Sequence, residues 1–195
     1  MFRTGTAAAV SATRVASMPG WRVHIPTAGE TVVRFACRPA LSGAPWPMPR
    51  VLAELASAGA TADGAARAVG SGSGAPLIHS QAFRWRGCTL HVEAHDAREV
   101  TLEMPAWDEL VAVLSDEDAF WDVVDIVAAA SDAVHGALGD GEAMDLDLPV
   151  DAAGWVARCR RHLGVLAPEH LTAALQPLAS PYRRLSRSGL LVMLH

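Results

Sequence analysis

The chain contains no lysine and no asparagine; all 16 basic residues are arginine. Alanine and glycine abound instead, the imprint of a very GC-rich genome, as in many Ala-rich bacterial proteins. Arginine here therefore says little about forked carboxylate or phosphate recognition, for which it would otherwise be preferred. Cysteine is scarce: Cys37, Cys88 and Cys159 are far apart and odd in number. That excludes a disulfide scaffold and points to a reducing, cytoplasmic compartment. Long apolar runs are missing too. Val127 to Ala130 is followed at once by Ser131 and Asp132, and no window reaches the roughly 18 apolar residues of a membrane-spanning helix.

Acid is absent from the first 29 residues, which hold Arg3, Arg14 and Arg22. Without an apolar core after Arg3, a secretory leader is excluded. An organellar transit peptide is the minor alternative to an N-terminal arm. Motifs of nucleophilic and nucleotide chemistry are lacking as well. There is no Gly-x-Ser-x-Gly, and Gly70–Gly74 has no following lysine to make a phosphate loop.

What is present is enough apolar material for a core, 51% of residues. Residues 1–20 are expected to form an arm, and residues 21–195 a single α+β domain with a Gly/Ser linker near 70–74. Trp21–Ile25 and Thr31–Ala36 are predicted strands, followed by a Pro-rich loop at 38–49. A helix starts at Arg50, with Gly59 as its stop. Phe83–Ala94 and Arg98–Met104 alternate with period two and predict a central hairpin, about 83–104, with one buried side. Pro105–Leu114 suggests a short helix. Ser115 is the expected N-cap of a long one, about 116–138, with Asp116, Glu117 and Asp118 in its first turn and Gly139 at its end. Met144–Leu148 suits a strand. Two C-terminal helices, about 150–163 and 168–178, precede a β-like run at Ser188–Leu194. The fold class is α+β: an antiparallel or mixed sheet packed by the long helix and the two C-terminal ones.

Charge is distributed unevenly. Glu99 to Ala157 holds 15 Asp or Glu and no Arg, whereas residues 1–50 and 158–195 each carry six Arg against one Glu. On the long helix Asp118, Asp122, Asp125 and Asp132 fall at offsets of 0, 4, 7 and 14, an exposed stripe opposite the Val-rich face. Like charges at i, i+4 cost about 0.2–0.5 kcal/mol per pair, so the stripe needs a reason. One is internal: Arg158, Arg160, Arg161, Arg183, Arg184 and Arg187 fold back onto it. The other is external: the face, with Trp121 as its anchor, steers in a basic protein. Such a face repels nucleic acid.

His91-Val-Glu93-Ala-His95 places two imidazoles and a carboxylate on one strand face. These could ligate zinc or iron, or be the wet side of an antiparallel sheet. The Pro-Cys-x-x-Cys that completes a zinc-deaminase signature is missing. Cys159 and His162 share a helical face, but no second pair follows. The expectation is a non-enzymatic binding module with no cofactor, of inhibitor or immunity type. A metal-dependent enzyme using His91, Glu93 and His95, or a structural subunit threading its Arg-rich arm into neighbours, is the alternative.

Overall fold

The computed structural model describes residues 21–23, 25, 27, 29–38, 47–69, 78–95, 98–140, 162–171, 173 and 180–194. Expectations for the arm, the Gly/Ser linker and the strand at 144–148 lie outside them. So do most of the two C-terminal helices; within the second, Glu169–Leu171 forms a 3-10 turn.

The architecture is dominated by one antiparallel sheet. Its strands are β1 (Thr31–Cys37), β2 (Thr61–Val69), β3 (Ile78–Trp85), β4 (Cys88–His95), β5 (Glu99–Met104), β6 (Ala133–Gly139), β7 (Gly164–Ala167), β8 (Ser180–Arg184) and β9 (Leu191–Leu194). They lie in the order β2-β3-β4-β5-β1-β6-β7-β9-β8. Among the described residues three α-helices accompany them: α1 (Pro47–Ser57), α2 (Trp107–Val113) and α3 (Glu117–Ala130). Period-two alternation decides the faces. Val33, Phe35, Phe83, Leu90, Val92, Val100 and Leu102 turn inward and form one core with Val51 and Leu55 of α1 and Phe120, Val124 and Val127 of α3.

The predicted hairpin is two successive hairpins. Phe83–Ala94 is broken at Arg86 and Gly87, whose φ of 48° and 87° are those of a two-residue turn; β3 pairs β4 from Trp85↔Cys88 outward, and β4 then pairs β5. Trp21–Ile25 is not a strand among its described residues. The long helix stops at Ala130, eight residues early. Ser131 sits in the αR region, Asp132 takes φ 56°, and Ala133–Gly139 crosses to pair with β1. A left-handed residue ends an α-helix, and the sequence beyond it takes a place between β1 and β7, where burial outweighs helix propensity. The N-cap is Asp116, which accepts from the Ala119 amide at 2.9 Å, not Ser115.

At one side of the core the aromatics form a continuous run. Trp21 meets Trp107 at 5.2 Å between ring centroids, Trp107 meets Phe120 at 4.9 Å, and Phe120 meets Trp121 at 4.6 Å, all edge to face. Such pairs contribute about 0.5–1.5 kcal/mol each beyond the area they bury, which fixes α2 and α3 on the segment entering β1.

Candidate acidic docking surface

The acidic segment folds into two environments. The first is α3. Asp118 is exposed, Asp122 is half-buried, but Asp125 is only 4% exposed and Trp121 only 2%. Asp132 is exposed in the turn after the helix and lies off its stripe. The expected exposed row of four carboxylates is therefore corrected: the turn linking β8 to β9 covers its centre. Asp125 accepts hydrogen bonds from the Arg187 amide at 2.8 Å, the Ser188 amide at 2.9 Å, the Ser188 hydroxyl at 2.7 Å and the Ser186 hydroxyl at 3.2 Å. Four donors on one carboxylate satisfy its lone pairs, the condition for holding a charge inside a fold.

Glu117, two turns earlier on the helix, is held in the same way, although its sequence position suggests only a favourable first-turn acid. It is 2% exposed and accepts from the Arg22 amide at 2.7 Å, from Trp121 Nε1 at 2.9 Å and from the Tyr182 hydroxyl. Trp121 is thus an internal anchor, its polar edge already spoken for. Burial, then the hydrogen bond and charge of Glu117, push the Tyr182 phenol up to about 12. Arg183 donates to Asp118, and that bond and its charge hold the Asp118 carboxyl below its usual range. Arg187 lies 3.9 Å from Asp122. Of the C-terminal arginines expected to fold back, Arg183 and Arg187 do so, and Arg184 pairs with Glu169 at 3.1 Å instead. Arg158, Arg160 and Arg161 lie outside the described residues.

The second environment is the far end of the sheet. A cleft of about 640 Å³ opens there between the outer faces of β4 and β5, the β3–β4 turn, the segment entering β1, and α2. Its walls carry Glu30, His91, Glu103 and Glu109, with Cys88, Thr89, Met104, Pro105, Ala106 and Val113 between them. No arginine is among these lining residues. Asp108 and Glu109 are exposed in the first turn of α2 and are in no ion pair with a described residue. Glu103 sits opposite His91 across the β4–β5 pair. Burial first, then the charges of Glu93 and Glu30, raise its carboxyl above the usual range; His91 and Arg34 pull the other way. Val113, 49% exposed, overhangs the turn. A Cβ on Gly87 would come 3.0 Å from its Cγ1, and Gly87 has φ 87°, so glycine is required there twice over.

The His-x-Glu-x-His row lies on the outer face of β4. Across the strands it faces Glu103, Thr101 and Glu99 of β5, and beyond them Val32, Arg34 and Ala36 of β1. His95 Nε2 is 3.6 Å from Glu93 Oε2. Successive same-face residues of a strand stand about 7 Å apart, so His91, Glu93 and His95 form a row, not a cup. No set of three His, Cys, Asp or Glu among the described residues is arranged to hold a metal ion. Thr101, 1% exposed, has a hydroxyl with no hydrogen-bond partner among the described residues. Burial raises both described thiols, Cys37 to about 11, which keeps them in the unreactive form. No helix of the described residues is long and apolar enough to cross a membrane.

Glu30, Glu103 and Glu109 come from three elements spread over 80 positions, so no local spacing marks them as partners. The one signal available was the lack of a neighbouring arginine on α2. No family model and no curated protein matches the chain. Among solved structures it is similar to the Pseudomonas aeruginosa T6SS protein PA0821, with a TM-score of 0.38 and 12% identity over 85% of this chain and 67% of that one.

Proposed function

We propose that the chain is a non-enzymatic protein-binding module that docks a basic partner, in the manner of an inhibitor or immunity-type protein. The observation that carries this is the unanswered acid at the α2 end. Glu109 lines a cleft there with Glu30 and Glu103, no arginine is among the residues lining that cleft, and Asp108 is exposed next to Glu109 in the chain. On α3, by contrast, Arg183 and Arg187 supply counter-charge to Asp118 and Asp122. Like charges left together cost stability in the free protein and repay it when an opposite charge arrives. The docking surface is then the α2 end together with Asp118, Asp122 and Asp132 at the surface. Trp121 and Asp125 hold that surface from beneath. The partner is excluded from its own target by occlusion, and association is steered by charge and weakened by salt.

The test is a pull-down with the full chain from lysate of the organism at low and high ionic strength, alongside the Asp108→Arg/Glu109→Arg variant. A basic protein retained at low salt, released at high salt and missed by the variant is expected. Retention of the same protein by the variant, or no salt-sensitive partner at all, defeats the proposal.

A further inference from the structure

We infer that the cleft beside α2 is a pocket for a guanidinium side chain of the partner, an arginine inserted with its alkyl stem along Met104 and Val113 and its head among Glu30, Glu103 and Glu109. The inference rests on the proposed binding of a basic partner and specifies where and how it happens.

Three properties of the cleft lead to this occupant. Glu30, Glu103 and Glu109 are all acidic, and His91 is the one basic side chain among the lining residues, so the ligand's head is a cation. Its carboxylates stand on separate elements: the segment entering β1, strand β5 and helix α2. Acceptors arriving from several directions suit the planar fork of five donors on a guanidinium better than a compact ammonium. Its remaining walls include Met104, Pro105, Ala106 and the overhanging Val113, an apolar lining that fits the stem of a long cationic side chain. About 640 Å³ is ample for one such side chain and its neighbours in the partner's loop.

One further observation agrees. Glu103 is desolvated and repelled by Glu93 and Glu30 in the free protein, a penalty that a cation in the cleft would relieve.

The experiment uses the full chain and a short alternating Ala–Arg peptide labelled with a fluorophore, read by anisotropy at low ionic strength. Glu103→Gln and Glu109→Gln should each weaken binding about 3- to 30-fold, the range of a charge-assisted contact. Val113→Trp, which leaves every charge in place and fills the mouth of the cleft, should weaken it at least as much. The Ala–Lys counterpart should bind less tightly. Unchanged binding by all three variants, with weaker binding by Asp118→Asn, would overturn the pocket while leaving a basic partner on α3 in place. Equal binding of the Lys peptide would overturn the guanidinium assignment. If no cationic peptide binds wild type, the binding reading itself fails along with the pocket.

Discussion

Helix α3 and the cleft beside α2 both draw on the acidic run that starts at Glu99, the cleft adding Glu30 from outside it, and treat their acids in opposite ways. On α3 the carboxylates are answered from within: Asp125 by the backbone and hydroxyls of Ser186–Ser188, Glu117 by Arg22, Trp121 and Tyr182, Asp118 by Arg183. Beside α2 the carboxylates of Glu30, Glu103 and Glu109 meet no arginine in the cleft lining. A buried acid that its own fold answers is structure; one that keeps a face to solvent, as Asp118 and Asp122 do beside their arginines, is still available to something else. The distinction is invisible in the charge of the segment and depends on what the chain brings to it from far away.

The largest expected effect lies on the answered side. Asp125→Ala leaves two part-buried amides and two hydroxyls without their acceptor and should cost about 1–3 kcal/mol, seen as a lower urea midpoint at unchanged slope. Glu117→Ala should fall in the same range. A loss under about 1 kcal/mol at either position would erase the contrast with the exposed pairs.

Second is a pH effect. Tyr182 is the single tyrosine, so ultraviolet titration reports it alone. Its folded value, about 12, stands above its ordinary value of 10. The contribution is therefore complete below pH 10 and is lost as pH rises toward 12. Glu117→Gln should bring the titration down; an unchanged midpoint would break the link between α3 and β8.

Smaller still is Asp118→Asn. Its partner Arg183 is near the surface, and the carboxylate is largely exposed, so the loss should stay below about 1 kcal/mol in the same urea assay. Because the Asp118 carboxyl is held below its usual range, any contribution is present above the ordinary Asp value and fades as pH falls below it.

The smallest effect has the opposite sign. Glu103→Gln removes a desolvated, repelled carboxylate and should leave stability unchanged or raise it by up to about 0.5 kcal/mol near neutral pH, while weakening cation binding. With a raised folded value, Glu103 favours the native state least once pH has passed through that value, so the gain from Gln should shrink as the pH is lowered. A clear loss of stability instead would move Glu103 into the class of Asp125.

The sequence made these two regions unequally legible. Alternation over Phe83–Ala94 and Arg98–Met104 gave the inward faces of β4 and β5, with Leu90, Val92, Val100 and Leu102 buried, but ran through the turn at Arg86 and Gly87. The helix stop at Gly59, with φ 87°, and the short helix before Leu114 were equally local and equally readable. Ala133–Gly139 was not, since Val134 continues the helical spacing of Val123, Val124 and Val127 and looks like more helix until β1 offers the run a strand to pair with. Short β7 and β8 carry four and five residues, too few for periodicity to speak. Asp125 looked exposed because it lies at offset 7 on the acidic stripe; the turn that covers it comes some 60 residues later. The cleft's three carboxylates are gathered by sheet pairing and by the docking of α2, and nothing local ties them together.

The two terminal strands of the sheet have a consequence for how any partner is recognised. β2 breaks its pairing with β3 between Asp63 and Arg67, where Gly64 takes φ 87° and its carbonyl accepts from the Gln81 side chain at 3.1 Å. β8 carries Pro181 and an irregularity just after it. A bulge and a proline are what keep a sheet from acting as a template for further strands. Main-chain addition at either margin is therefore disfavoured, and with it both runaway assembly and recognition by strand donation. Recognition of a visitor is then expected to fall to side chains.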